Sequence, residues 1–167
     1  MKKYNIFNYI RYKEDVKKSM PIEKPYKEYT RDEMIIKFMP LVENLARKFS
    51  TAQQASGVLS INDLLQIGNE GLTRAVDKLD WEMLKSSEDI EKTLKSFFSK
   101  RVKGAIRRRI DMHRGDMRIP EHKLNEIRKD GGKDKKMVAM FFNSMFLSID
   151  ASPKNEDMVY QIPDKSE

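Results

Sequence analysis

The stretch SINDLLQIGNEGLTRAVDKL, residues 60–79, sets the frame for the rest of the chain. Leu64, Leu65, Leu72, Ala75, Val76 and Leu79 recur at helical spacing, so the segment is expected to form a helix that buries one apolar side. Ser60 stands just before it with Asp63 three residues on. A hydroxyl there accepts from a free amide of the first turn while the carboxylate returns the bond, which is the capping-box pattern. Gly68 and Gly71 lie inside the helix, where each costs about 1 kcal/mol relative to alanine. Glycines so placed mark close backbone approach, to a neighbouring helix or to a partner. Asp63, Gln66 and Asn69, spaced i, i+3, i+6, form a polar strip away from the leucines. On spacing alone a solvated face explains that strip better than a binding surface does.

Upstream, Ile35, Ile36, Met39, Val42, Leu45, Ala46 and Phe49 predict an amphipathic helix beginning at Asp32, and Pro40 inside it predicts a kink or a fresh start. Residues 1–31 hold tyrosines, lysines and two prolines without a sustained helical period, and are expected to be an extended arm. Residues 50–60 are polar with a glycine and suggest a loop. Trp81 to Lys92 is charged and suggests a short helix or loop. A third helix is expected from about Glu91 to Met112, with Leu94, Phe97 or Phe98, Val102, Ala105, Ile106 and Ile110 inward. Pro120 ends this unit, Glu121 to Lys129 can start a fourth helix that stops at Gly131-Gly132, and Lys135 to Leu147 resumes an apolar helical pattern. Residues 148–167 suggest an extended tail. The expected fold is all-α, with a compact helical domain over 32–115, a short helical segment over 116–147 and arms at 1–31 and 148–167.

The net charge is +7, and it is concentrated: residues 100–118 carry eight bases against two acids. A basic stripe on one face of a helix is the footprint of a polyanion binder, although a solvated lysine and arginine face produces the same pattern. The absence of cysteine excludes disulfides, thiolate metal sites and a cysteine nucleophile. His113 and His122 are nine residues apart, a spacing unsuited to two ligands on one helical face, and no metal or other cofactor is expected. Asp111 and His113 are better explained as helix-end residues than as an acid and a base. No catalytic set assembles, and an enzyme is not expected. No apolar run reaches membrane-spanning length, and the N-terminus lacks the marks of a signal peptide, so a cytoplasmic protein without membrane attachment is expected.

The stretches LVENLARKFS, INDLLQIGNEGLTRAVDKLD and FFSKRVKGAIRRRI, in that order within residues 41–110, resemble the second conserved region of the sigma-70 family of bacterial transcription initiation factors. Arg118-Ile119-Pro120-Glu121-His122 resembles the motif opening that family's third region, and the tail from Leu147 to Asp164 is similar to the linker that threads toward the polymerase active centre. The resemblance implies that Asp63, Gln66 and Asn69 dock on the clamp coiled coil of the largest subunit of a multisubunit RNA polymerase core. It also implies that the next helix recognises and opens promoter DNA at the minus-ten element.

In that family a flipped adenine stacks on an aromatic ring, and Phe97 stands at the matching position. Stacking of this kind offsets the cost of taking a base out of the duplex. Lys100 and Arg101 fall where housekeeping factors carry a tryptophan pair, as in alternative factors. Lys103, Gly104, Arg107 and Arg108 fall on the DNA-facing helix, with Gly104 and Arg107 at upstream minus-ten reading positions, and His122 matches a residue touching DNA just upstream. No stretch within residues 1–167 resembles that family's helix-turn-helix fourth region, and in this the sequence resembles the compact late-transcription sigma factors of bacteriophages, for which reliance on an accessory co-activator is expected. Two alternatives remain open from the residues: a stand-alone nucleic-acid-binding regulator, and a sigma-like inhibitor of the polymerase.

Overall fold

A computed structural model describes residues 2–51, 59–80, 89–113, 115, 118–131 and 133–143. Among these residues the fold is all-α, with six α-helices, one short 3-10 turn and no strand. In chain order the helices are α1 (Lys2–Lys18), α2 (Arg31–Thr51), α3 (Ile61–Val76), α4 (Ile90–His113), α5 (Glu121–Asp130) and α6 (Lys135–Asn143), and the 3-10 turn spans Tyr26–Glu28. Contacts divide the chain into two units, 1–114 and 115–167.

The core of the first unit is made by one stripe from each of α2, α3 and α4. Helix α2 contributes Met34, Phe38, Val42, Leu45, Ala46 and Phe49, and α3 contributes Leu64, Leu65, Leu72 and Ala75. Helix α4 adds Leu94, Phe98, Val102, Ile106 and Ile110, a strict four-residue recurrence. Val76 and Leu79, expected to be fully buried, are only partly so. The ambiguity between Phe97 and Phe98 resolves in favour of Phe98, which has no exposed surface and meets the Phe38 ring edge-on at 4.8 Å. Pro40 does not break α2. The proline removes one backbone donor, but the buried row Met34, Phe38, Val42, Leu45, Phe49 runs across it, so packing holds both halves in one helix.

Two helix starts are capped reciprocally. At α3 the Asp63 amide donates to Ser60 Oγ at 3.2 Å and the Ser60 amide donates to Asp63 Oδ2 at 2.8 Å, as the sequence predicts. At α2 the Thr30 amide donates to Glu33 Oε2 at 2.8 Å and the Glu33 amide to Thr30 Oγ1 at 3.4 Å, which places the helix start at Arg31. Lys24 Nζ lies 2.7 Å from the same Glu33 oxygen. The Lys24 hydrogen bond, followed by those from Thr30, holds the Glu33 carboxyl down at about 2. Arg31 clamps Asp77, Nε to Oδ1 at 2.5 Å and Nη2 to Oδ2 at 3.0 Å, joining the start of α2 to the end of α3.

The largest departure from the sequence reading is at the N-terminus. Residues 2–18 are helical rather than an extended arm. Tyr9 and Tyr12 pack against the core cluster and Val16, on the same stripe at i+7, is buried; two of the three are tyrosines with polar tips, so the stripe does not stand out as apolar periodicity. The segment that follows is also anchored. Tyr29 is buried, its hydroxyl accepts from the Lys24 amide at 3.1 Å and from Lys37 Nζ at 2.9 Å, and Lys37 lies over both the Tyr26 and Tyr29 rings.

In the second unit α5 ends at Gly131, whose φ of +63° is the left-handed conformation glycine adopts at least cost. Helix α6 covers Lys135–Asn143 of the expected 135–147 pattern. The linker-like tail at 148–167, most of the loop at 50–60 and residues 81–88 lie outside the described residues. No helix among the described residues is long and apolar enough to cross a membrane.

Candidate nucleic-acid interface

Because α4 buries every fourth residue, its charged side is set apart from the core, and each exposed position between Lys100 and Ile110 is basic. Lys100, Arg101, Lys103, Arg107, Arg108 and Arg109 are exposed, with Gly104 among them half-buried. Burial is thus taken by one side of the helix and charge by the other. A Cβ added at Gly104 would meet nothing within 4 Å, so no packing within the chain requires glycine there.

Phe97 is half-buried at the border between these two sides. Its ring meets Phe98 edge-on, centroids 5.7 Å apart, and the Arg101 guanidinium lies 4.9 Å above it. Cation and ring attract through the ring quadrupole. Lys92, Thr93, Ser96 and Lys100 surround the same ring in a surface depression. An aromatic face held among cations can stack an unpaired base and neutralise its flanking phosphates. Arg107 in turn lies 6.0 Å over the Phe49 ring, which orients one more cation of the row.

The glycines of α3 decide what stands beside this row. At Gly68 a Cβ would lie 2.4 Å from Val42 Cγ1, and at Gly71 2.8 Å from the Ala105 Cβ. The close approach expected for both is therefore to neighbouring helices, α2 and α4. The Gly71–Ala105 contact forms the floor of a groove of about 470 Å³ between α3 and α4. Its walls carry Arg74 from α3, Lys78 from the turn that follows it, and Arg101, Arg108 and Arg109 from α4, against a single acid, Glu70. Glu70 pairs with Arg74 at 2.6 Å and faces Arg109 at 3.8 Å, which leaves the groove strongly cationic. Arg74 in the last turn of α3 and Lys78 just beyond it are i, i+4 in sequence, but that spacing does not show that the end of α3 lies beside the α4 stripe.

The polar strip of α3 falls on the side away from its buried residues. Asp63 and Gln66 are exposed and Asn69 is half-buried. Asp63 is already committed, since it accepts from both the Ser60 amide and the Ser60 hydroxyl. Asn69 is held by α1: the Tyr12 hydroxyl donates to Asn69 Oδ1 at 3.3 Å and accepts from Nδ2 at 3.2 Å. Gln66 is the exposed member that takes part neither in the cap nor in the contact with α1. His122 is exposed on the first turn of α5, in the second unit. No group of three or more metal-ligating side chains occurs among the described residues. No protein-family model matches the sequence, and no curated protein is significantly similar to it.

Proposed function

We propose that this chain is a non-catalytic promoter-specificity factor of the sigma type, which binds core RNA polymerase and assists opening of promoter DNA at the minus-ten element. The observation that carries this reading is the setting of Phe97: a half-buried ring under the Arg101 guanidinium, on a helix whose exposed positions from Lys100 to Arg109 are all basic. A ring so placed suits capture of a single unstacked base beside a phosphate backbone. The α3 geometry supports the same reading, because its two glycines are used for packing while Gln66 and Asn69 remain on the opposite, polar side. Within this reading the chain serves an alternative or bacteriophage-type set of promoters together with an accessory co-activator.

Co-purification with bacterial core polymerase followed by run-off transcription tests the proposal. Gln66→Arg is the informative variant, since Asp63 also closes the helix cap and its loss perturbs folding. A mismatched charge across such an interface costs several kcal/mol, so core binding by Gln66→Arg should fall by at least about tenfold with helicity unchanged. Equal binding by both proteins refutes docking through this face. A second reading, a stand-alone nucleic-acid-binding regulator, is favoured by the cationic groove, which the chain forms without a partner. Sequence-specific duplex binding by the isolated chain at physiological salt, without core polymerase, would select it.

A further inference from the structure

Helix α1 is held differently from α2 and α3, on which it lies. Val16 is its one residue counted in the buried core among the described residues, and Ile6, Phe7 and Ile10 are 57%, 76% and 49% exposed. The Tyr9 and Tyr12 rings pack half-buried against the core, and polar contacts supply the rest of its attachment. The Tyr9 hydroxyl donates to Glu43 Oε1 at 2.6 Å, Lys13 Nζ lies 3.7 Å from the same oxygen, and the Tyr12 hydroxyl exchanges both bonds with the Asn69 amide. Asn69 belongs to the polar strip of α3, and Tyr12 takes its oxygen and its nitrogen together.

We propose that α1 is a detachable cover of the α3 polar face, and that its seating on Asn69 and the docking of a partner on that face exclude each other. This rests on the reading of the α3 face as the polymerase-docking surface. A partner that hydrogen-bonds the Asn69 amide, or packs on the strip beside it, must first displace Tyr12. The displacement is within reach because α1 buries Val16 but the Tyr9 and Tyr12 rings only in part, leaves Ile6, Phe7 and Ile10 exposed, and gives up hydrogen bonds that each bias the equilibrium by only about 2- to 13-fold. A 17-residue helix is marginal on its own in water, so released α1 is expected to unravel. Its amide exchange then reports release independently of any partner. When the docking-competent form is only a fraction of the population, apparent affinity is reduced by that fraction, and loosening α1 restores it.

The test uses the full chain with Tyr9→Phe and Tyr12→Phe combined, which keeps both rings and removes both hydroxyls, and Val16→Asp as a second variant that puts a charge under α1. Amide exchange in α1 and titration with core polymerase are measured on each. The expected result is faster exchange confined to residues 2–18, core binding at least about fourfold tighter than the parent, and loss of α1 protection in the parent on adding core. Faster α1 exchange with unchanged core binding overturns the cover while leaving the docking face intact. Weaker binding also overturns it, by making α1 part of the interface. Unchanged α1 exchange in both variants overturns detachment itself. If neither the parent nor any variant binds core, the docking reading fails, and the cover with it.

Discussion

Replacing Gly68 with alanine puts two opposing effects at one atom. The added Cβ would sit 2.4 Å from Val42 Cγ1 and 3.6 Å from both Ile106 Cδ1 and Val102 Cγ1. Favourable carbon–carbon contact begins near 3.5 Å, so the first distance is short by about 1 Å while the other two are ordinary. Val42 has no exposed surface and is a β-branched residue within a helix, so rotation of its side chain gives little relief. Overpacking of this kind costs about 1–3 kcal/mol, against about 1 kcal/mol regained by removing a glycine from a helix interior. The net expectation is destabilisation by about 0–2 kcal/mol. Gly104→Ala supplies the reference, because it gains the same propensity term where nothing lies within 4 Å, and it should be more stable than the parent by about 1 kcal/mol. The difference between the two variants isolates the steric term, about 1–3 kcal/mol, or several degrees in Tm for a chain of this size. Urea unfolding followed by helical ellipticity measures both. Combining Gly68→Ala with Val42→Ala should recover part of the loss, with a coupling of about 0.5–3 kcal/mol. If Gly68→Ala is stabilised as much as Gly104→Ala, α2 and α3 do not approach at this point and the account of the glycine is wrong.

Three further outcomes are expected. Phe97→Ala should lower the open-complex population about 5- to 150-fold, since a stacked base is worth about 1–3 kcal/mol; Phe97→Tyr should be nearly neutral, and loss of opening that only tracks loss of Tm would refute the stacking role. Arg74→Ala and Arg108→Ala, on opposite walls of the α3–α4 groove, should each reduce the slope of log affinity for DNA against log salt by about 1, as loss of one phosphate contact does; unchanged slopes remove the groove from the DNA path. Glu33, whose carboxyl is held down at about 2 against an ordinary 4.5, contributes stability that is fully present above pH 4.5 and is lost as pH falls through 2. Glu33→Gln should therefore flatten the stability–pH curve over that interval, and an identical curve would show that the Lys24 and Thr30 bonds to Glu33 do not form in solution.

Where one helical turn contained the whole argument, the sequence was sufficient. Ser60 and Asp63 cap α3 as their spacing requires, the Leu94-to-Ile110 row is buried, and the basic residues between them lie outward, because period and capping are set by residues within four positions of each other. The Thr30–Glu33 cap obeys the same local rule and places the start of α2 at Arg31, one residue before the Asp32 expected from apolar spacing. Tertiary structure decided what neighbours in sequence could not. Phe97 and Phe98 differ by only about 100° around one helix, and it is the Phe38 ring, 60 residues away, that takes Phe98 into the core and leaves Phe97 at the surface. Pro40 is carried inside a continuous α2 by the side chains packed on either side of it. Arg74 and Lys78 join the cations of α4 only because Gly71 lets α3 close on Ala105. The ordering of α1 rests on hydroxyls reaching Glu43 and Asn69, 34 and 57 residues along the chain. Such contacts depend on which faces of distant helices meet, a choice made by the summed burial of the core rather than by any local pattern.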